Sequence, residues 1–200
     1  MTDVRTRAEV LAGLVQERGW TVAVAESLTS GAIATELGRG PDASAWFLGG
    51  VVVYASRTKF DVLGVAPGPV VSPTAACTMA ASAAELFSAD LTLAATGVAG
   101  PGPESGVVAG TTWLAVRRPG RVESHLFHFD GPPERVVAQT VSEALRLLVG
   151  ACRGQRDLHP RRPGTGQLPI PSGEPRPVSA PVAADLATTP TWSTDAPSAH

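Results

Sequence analysis

The residues best suited to chemistry lie in a short turn, 26–31, which reads Glu-Ser-Leu-Thr-Ser-Gly. An apolar segment over 21–25 precedes the turn and predicts a buried strand, and a helix is predicted over 31–37. Backbone amides at such a strand-to-helix junction can bind phosphate or stabilise an oxyanion. Ser27 could therefore be a nucleophile if a base lies near it. Plain helix capping by Ser27, Thr29 or Ser30 is the alternative, and the residues alone favour it.

A glycine-rich segment, 97–102, is the second candidate, and it follows another predicted strand over 91–96. It lacks the Lys-Ser/Thr ending of a phosphate-binding P-loop and does not match the dinucleotide fingerprint. Two interpretations stay open at this point. The segment is either a mobile turn or a backbone surface that a ligand can approach closely.

One lysine and one tyrosine occur in the whole chain, and they are only five residues apart, Lys59 and Tyr54. The chain has 16 lysines and arginines in total, and all of them except Lys59 are arginines. A lysine in such a background suits a site that needs an ammonium able to lose its proton, which a guanidinium cannot do.

The elements that must position these residues alternate between helix and strand. Such an order predicts an α/β fold, a three-layer α/β/α domain with a mixed sheet. Besides the segments already named, the pattern predicts a helix from Thr2 to Gly19, a buried strand over 46–54, a helix over 57–63, a hairpin over 111–129, and a last helix from Pro132 or Pro133 to Cys152. It also predicts a helix over 72–87, with Ser72 as its N-cap and Pro73 at its first position.

Composition limits the classes of function. Net charge is -2, which argues against a nucleic-acid partner, and no apolar run is long enough for a membrane-spanning helix. We expect a cytoplasmic protein without a signal peptide. Neither the two separate cysteines nor His125 and His128 form a metal-ligand pattern, so no metal and no cofactor are expected. Nine of the 18 prolines lie in the last fifty residues, so we predict a domain over 1–152 and a disordered, proline-rich tail over 153–200.

Several blocks of the chain together resemble the C-terminal domain of the competence- and damage-inducible protein CinA. The resemblance covers roughly residues 8–149, and the blocks follow the order of that family. They are 25–31 (AESLTSG), 44–54 (SAWFLGGVVVY), Lys59, 63–65 (LGV), 71–72 (VS), 96–101 (TGVAGP) and 110–115 (GTTWLA).

The resemblance implies an activity and a site. Members that stand alone are typically nicotinamide-nucleotide amidases, which convert nicotinamide mononucleotide to nicotinic acid mononucleotide and ammonia and commonly form homo-oligomers. Matched to that family, Ser27 would be the nucleophile and Tyr54 and Lys59 its helpers. The expected substrate contacts are Glu26, Thr29, Ser30, Gly31, Gly97, Ala99, Gly100 and Arg135, with the amides of 29–31 as oxyanion donors.

The chain also departs from the family pattern. Leu28 and Ser30 replace a usual Cys and Gly, and Pro133 and Val137 stand where the family has arginines, one of which would hold the substrate phosphate. Arg135 is displaced from those positions by two residues. Two alternatives therefore stay open, an inactive nucleotide-binding or interaction module of the same fold, and an amidase for a different amide.

Overall fold

The computed structural model describes residues 2–154, which form six helices and five strands. The predicted disordered tail over 153–200 lies almost wholly outside these residues. In chain order the elements are α1 (Thr2–Arg18), β1 (Val22–Glu26), α2 (Ala32–Gly38), α3 (Ala43–Trp46), β2 (Phe47–Val52), α4 (Ser56–Leu63), α5 (Pro73–Phe87), β3 (Leu91–Gly97), β4 (Thr111–Arg118), β5 (Arg121–His128) and α6 (Pro133–Arg153).

The five strands form one mixed sheet in the order β2-β1-β3-β4-β5. β1 pairs in parallel with β2 on one side and with β3 on the other. β3 and β4 are antiparallel, as are β4 and β5, which the tight turn at Pro119 and Gly120 joins. The carboxyl ends of three neighbouring parallel strands, β2, β1 and β3, therefore meet at one edge of the sheet.

Helices cover both faces of the sheet, which confirms the predicted three-layer α/β/α fold. Alternate residues along β1 and β3 separate the two cores, because successive strand residues point to opposite faces. On one face, the helices α1, α2 and α6 pack against Val22, Val24 and Leu93. On the other face, α4 and α5 pack against Ala25 and Ala94. None of the described helices is long and apolar enough to cross a membrane.

The start of α5 shows how local chemistry sets an element boundary. Ser72 adopts an extended conformation before the helix, and its hydroxyl accepts a hydrogen bond from the Ala75 N–H at 3.2 Å. Pro73 follows at the first helical position, where a missing N–H costs nothing. The N-cap and proline predicted from the sequence are both confirmed.

Two sequence predictions near the site need correction. The strand predicted as buried over 46–54 is shorter, Phe47–Val52, and its residues alternate between half-buried and exposed because β2 is an edge strand with a neighbour on one side only. Trp46 belongs instead to α3, a four-residue helix that the pattern did not predict, and its indole N–H donates to the Pro41 carbonyl at 2.9 Å.

Candidate active site

The turn 27–31 leaves the carboxyl end of β1, the strand that lies between β2 and β3. Backbone hydrogen bonds hold the start of this turn from both sides. The Ser27 N–H donates to the Ala95 carbonyl of β3 at 3.0 Å, and the Val53 N–H beyond β2 donates to the Glu26 carbonyl at 2.8 Å. Ser27 is therefore fixed to the parallel part of the sheet.

Glu26 is the last residue of β1, and its side chain is fully buried. One carboxylate oxygen accepts the N–H groups of Gly31 at 3.0 Å and Ile33 at 3.1 Å, and the other accepts the N–H of Ala34 at 2.8 Å. The substrate contact predicted for Glu26 stays a prediction. Its oxygens are already occupied by the backbone where α2 begins.

Within the turn, Ser30 and Gly31 both have left-handed backbone conformations, with φ of 49° and 96°. The Ser30 N–H donates to the Ser27 carbonyl at 3.0 Å, and the Gly31 N–H is held by Glu26. Among the described residues, no acceptor meets the N–H groups of Leu28 and Thr29. Of the three amides predicted as oxyanion donors, only that of Thr29 is thus open, and the amide of Leu28 joins it.

The side chains of the turn differ in what they contact. Ser27 is buried, but its hydroxyl forms no hydrogen bond with any described residue, Lys59 and Tyr54 included. The Thr29 hydroxyl is buried and has no hydrogen-bond partner in the described part of the chain. A buried hydroxyl without a partner is costly, and such groups often mark a site that a ligand completes.

Lys59 lies in α4 and is only 2% exposed, which is rare for a lysine. Its Nζ donates to the backbone carbonyl of Tyr54 at 2.8 Å. Burial lowers the pKa of Lys59 below its usual 10.5, while the negative charge of Glu104 opposes this shift. Burial disfavours the charged form of an amine, so Lys59 loses its proton more readily than a surface lysine.

Tyr54 follows the end of β2, and 69% of it is exposed. The structure therefore connects Tyr54 to Lys59 through its carbonyl group rather than through its ring. The predicted helper role of the Tyr54 hydroxyl stays a prediction.

The glycine-rich segment packs closely against its neighbours. A Cβ on Gly97 would lie 2.5 Å from the Thr111 carbonyl oxygen, and one on Gly100 would lie 3.3 Å from the Ala109 Cβ. Ala99 is half-buried against the core on the α6 side. Close packing between β3 and β4 thus accounts for Gly97 without a ligand, although ligand contacts for Gly97, Ala99 and Gly100 stay predictions.

Arg135 is exposed in the first turn of α6, and its side-chain stem lies over Gly131. A Cβ on Gly131 would come within 2.8 Å of the Arg135 Cδ. Within the described residues its guanidinium has no hydrogen-bond or ion-pair partner, so it is available to an anion. Pro133 begins α6, and Val137 packs against the core.

The sequence interpretation missed two parts of this region. The first is Glu104, whose negative charge acts on Lys59. It is the only acidic residue of the segment 97–110, which could have marked it in the sequence as a candidate site residue. The second is the Leu28 amide. The sequence could not have indicated it, because the Leu28 N–H lacks an acceptor only as a result of which other N–H groups Glu26 binds. In the described residues no group of three or more His, Cys, Asp or Glu side chains is arranged to hold a metal ion.

Comparison with known proteins agrees with this architecture. The profile of the CinA C-terminal domain matches residues 4–152. A CinA-like protein of Geotalea daltonii is 39% identical over 153 residues, which are 73% of this chain and 37% of that protein. A CinA-like protein of Frankia casuarinae is 39% identical over 145 residues, which are 70% of this chain and 33% of that protein. The chain thus spans about a third of the length of these relatives.

Solved structures match over nearly their whole length. A CinA superfamily protein from Klebsiella pneumoniae superposes with a TM-score of 0.72 at 32% identity, covering 76% of this chain and 98% of that one. The competence/damage-inducible protein CihA from Agrobacterium tumefaciens gives a TM-score of 0.71 at 31% identity, covering 76% and 96%. By family profile, sequence identity and fold, this chain belongs to the CinA C-terminal domain family.

Proposed function

We propose that this protein is an amidohydrolase that hydrolyses the carboxamide of nicotinamide mononucleotide through a serine acyl-enzyme. Ser27 is the nucleophile, Lys59 the general base, and Tyr54 the residue that relays the proton or orients the pair. The observation that carries this proposal is the burial of the only lysine of the chain, together with the lowered pKa that follows from it. A neutral amine is a base, whereas a surface ammonium is not.

The order and direction of the strands support the proximity of Ser27 and Lys59. Glu26 pairs with Val52 in neighbouring parallel strands, so Ser27 and Tyr54 follow strand ends about 4.8 Å apart. The Glu26 side chain points to the α2 face of the sheet. If the alternation of β1 continues one residue past Glu26, Ser27 faces the opposite side of the sheet, where α4 holds Lys59 against the Tyr54 carbonyl.

In the first half of the reaction, the Ser27 oxygen attacks the carboxamide carbon and its proton passes to the Lys59 amine. The carbonyl oxygen becomes an oxyanion, for which the open N–H groups of Leu28 and Thr29 are the donors. The C–N bond then breaks, the leaving nitrogen takes the proton from Lys59, and ammonia departs. Ser27 is left as an ester of the pyridine carboxylate.

In the second half, water attacks the ester carbon and gives its proton to Lys59. The bond to the Ser27 oxygen breaks, and the serine recovers a proton from Lys59 as the acid leaves. The same pair of residues thus serves both half-reactions, and the overall change is amide plus water to carboxylic acid plus ammonia.

Substrate recognition involves the predicted contact residues that remain free. Arg135, whose guanidinium has no partner among the described residues, would hold the substrate phosphate. The Thr29 hydroxyl, buried without a partner, would bind the carboxamide or its oxyanion. Self-association, which the family resemblance implies, and a cytoplasmic location, which the sequence analysis predicts, belong to the same proposal.

A different amide substrate is the second candidate, and one observation favours it. Pro133 begins α6, and Val137 packs against the core. Neither residue therefore presents a cation where the family pattern has arginines. A clamp that relies on Arg135 alone would accept ligands without a phosphate more readily than a clamp of several arginines.

The test is ammonia release from nicotinamide mononucleotide by the purified protein, measured alongside Ser27→Ala and Ser142→Ala. Ser142 is the matched control, since its hydroxyl bonds Arg7 in the α1–α6 layer and not at the strand ends. We expect turnover in the wild type and in Ser142→Ala, and none in Ser27→Ala.

Three results would contradict the proposal. Equal turnover by Ser27→Ala would exclude the serine nucleophile. Absence of ammonia from nicotinamide mononucleotide, with release from nicotinamide or nicotinamide riboside, would point to a different amide. Absence of ammonia from all three would favour the inactive binding module.

A further inference from the structure

We propose that Glu26 is a positioning residue, and that its carboxylate holds the turn 27–31 in the one conformation that presents Ser27 for attack. This inference rests on the proposed role of Ser27 as nucleophile. It replaces a contact between Glu26 and substrate with a contact between Glu26 and the backbone of the turn.

The hydrogen bonds of Glu26 connect the residue before the turn to the residues at its end. The residue precedes Ser27 in β1, and its carboxylate reaches forward to the N–H groups of Gly31, Ile33 and Ala34 at 2.8 to 3.1 Å. The main chain and side chain of Glu26 thus close a ring around residues 27–30. Such a ring leaves the four enclosed residues few alternative conformations.

Glu26 supplies the cap that α2 otherwise lacks. The N-cap residue of α2 is Gly31, which has no side chain and makes no side-chain cap hydrogen bond. Helix N-terminal N–H groups that lie in a protein interior need acceptors. Here a residue from the preceding strand provides both acceptor oxygens, so strand end, turn and helix start form one rigid unit.

The surroundings of Glu26 offer hydrogen-bond donors only. Its carboxylate meets three N–H groups, and in the described part of the chain it forms no ion pair with a basic side chain. An ionised carboxylate can accept all three bonds, whereas an amide group of the same shape would place its NH₂ against one of the donors. Two acceptor oxygens, which a carboxylate has and an amide lacks, are therefore needed to hold the turn.

The turn requires such a constraint because its backbone is unfavourable by itself. Ser30 has a φ of 49°, a left-handed conformation that side-chain-bearing residues rarely adopt, and Gly31 follows with 96°. Strained conformations persist only where their surroundings enforce them. Without the bonds to Glu26, the turn can relax, and Ser27 and the open amides of Leu28 and Thr29 would lose their common orientation.

The experiment compares Glu26→Gln with the wild type in two measurements. The first is amide hydrogen exchange of Gly31, Ile33 and Ala34, which needs no assumption about the substrate. The second is the rate at which a fluorophosphonate, which displaces fluoride on attack by a serine, labels Ser27, located by peptide mass spectrometry. Ammonia release provides kcat and KM for the same variant.

We expect Glu26→Gln to fold and to exchange these three amides at least tenfold faster. We expect Ser27 labelling and kcat to fall about a hundredfold, the scale of a displacement of about 1 Å at a reacting atom. KM should change little, because the variant loses orientation and not substrate contact. Thr92→Val is the control for general destabilisation, since its buried hydroxyl donates to the Ala80 carbonyl of α5, on the face of the sheet opposite the Glu26 side chain. It should retain labelling and kcat.

Three results would overturn the inference. Unchanged exchange of the three amides would mean that the carboxylate does not hold the turn. Faster exchange with unchanged labelling would make Glu26 structural only, and a raised KM with unchanged kcat would make it a substrate contact. If wild-type Ser27 neither reacts nor turns over substrate, the proposed function fails, while the exchange data still decide whether Glu26 holds the turn.

Discussion

The buried amine of Lys59 gives the sharpest prediction, because its loss should separate activity from stability. Lys59→Met keeps an apolar stem of similar length, with sulfur in place of one methylene, and removes the amine. The Tyr54 carbonyl then loses its 2.8 Å hydrogen bond, which costs about 1–3 kcal/mol. Removal of a poorly solvated amine offsets part of that cost. We therefore expect the free energy of unfolding to fall by no more than about 2 kcal/mol.

Activity should respond far more strongly than stability. Loss of a general base typically slows a reaction by about 10²- to 10⁴-fold, which raises the activation barrier by about 3–5 kcal/mol. Lys59→Arg is the informative companion, because a guanidinium keeps the positive charge but cannot give up its proton at working pH. Both variants should lose ammonia release to a similar extent.

The pH dependence of the free energy of unfolding provides a second test of Lys59. The pKa of Lys59 lies below 10.5 in the folded protein and at about that value in the unfolded chain. Between the two pKa values Lys59 binds more protons in the unfolded chain, so its contribution to the free energy of unfolding should rise with pH across that window. The wild-type value minus that of Lys59→Met should therefore rise with pH in urea unfolding at several pH values up to 10.5. The buried thiols of Cys77 and Cys152, whose pKa values burial raises, contribute alike to both proteins.

Three outcomes would refute the reasoning about Lys59. Full activity in Lys59→Arg would show that charge and not basicity is required, and full activity in Lys59→Met would remove Lys59 from the reaction. A wild-type stability that shows the same dependence on pH as Lys59→Met would mean that burial does not lower the pKa.

The remaining predictions concern Tyr54 and Gly97. Tyr54→Phe should lower kcat about tenfold or more and change the free energy of unfolding by less than about 0.5 kcal/mol, because Tyr54 is 69% exposed. Unchanged kcat would exclude a role for the hydroxyl. Gly97→Ala should destabilise the protein by about 1–3 kcal/mol or more in urea unfolding, because its Cβ would lie 2.5 Å from the Thr111 carbonyl oxygen. Gly13→Ala, with open space around the position and a helical backbone, should stabilise by about 0.5–1 kcal/mol. A neutral Gly97→Ala would show that β3 and β4 can separate there.

Membership of the CinA C-terminal domain family and a proposed chemistry for this chain are separate conclusions. The family profile covers most of the described residues, but the names of the relatives describe competence and damage induction, not a reaction. The proposal about chemistry therefore depends on Ser27, Lys59 and the turn, each of which has its own test.

Local sequence patterns were sufficient to predict most elements. Apolar runs bounded by glycine and proline located β1, β3 and the β4–β5 hairpin to within about a residue, and Ser72 with Pro73 marked the start of α5. These signals work because caps, turns and strand runs depend on residues close in the chain. They failed at β2, because an apolar run does not reveal whether a strand has one neighbour or two.

The types and order of the candidate site residues were likewise readable from the sequence, since a lone lysine, a lone tyrosine and a serine after a strand stand out by themselves. Their environments were not. Burial of Lys59, exposure of Tyr54, and the choice of Glu26 to hold Gly31, Ile33 and Ala34 arise from packing between strands and helices that are distant in the chain. Because burial and hydrogen-bond competition depend on these neighbours, only the tertiary structure decided which amides stay open and that the single lysine is buried.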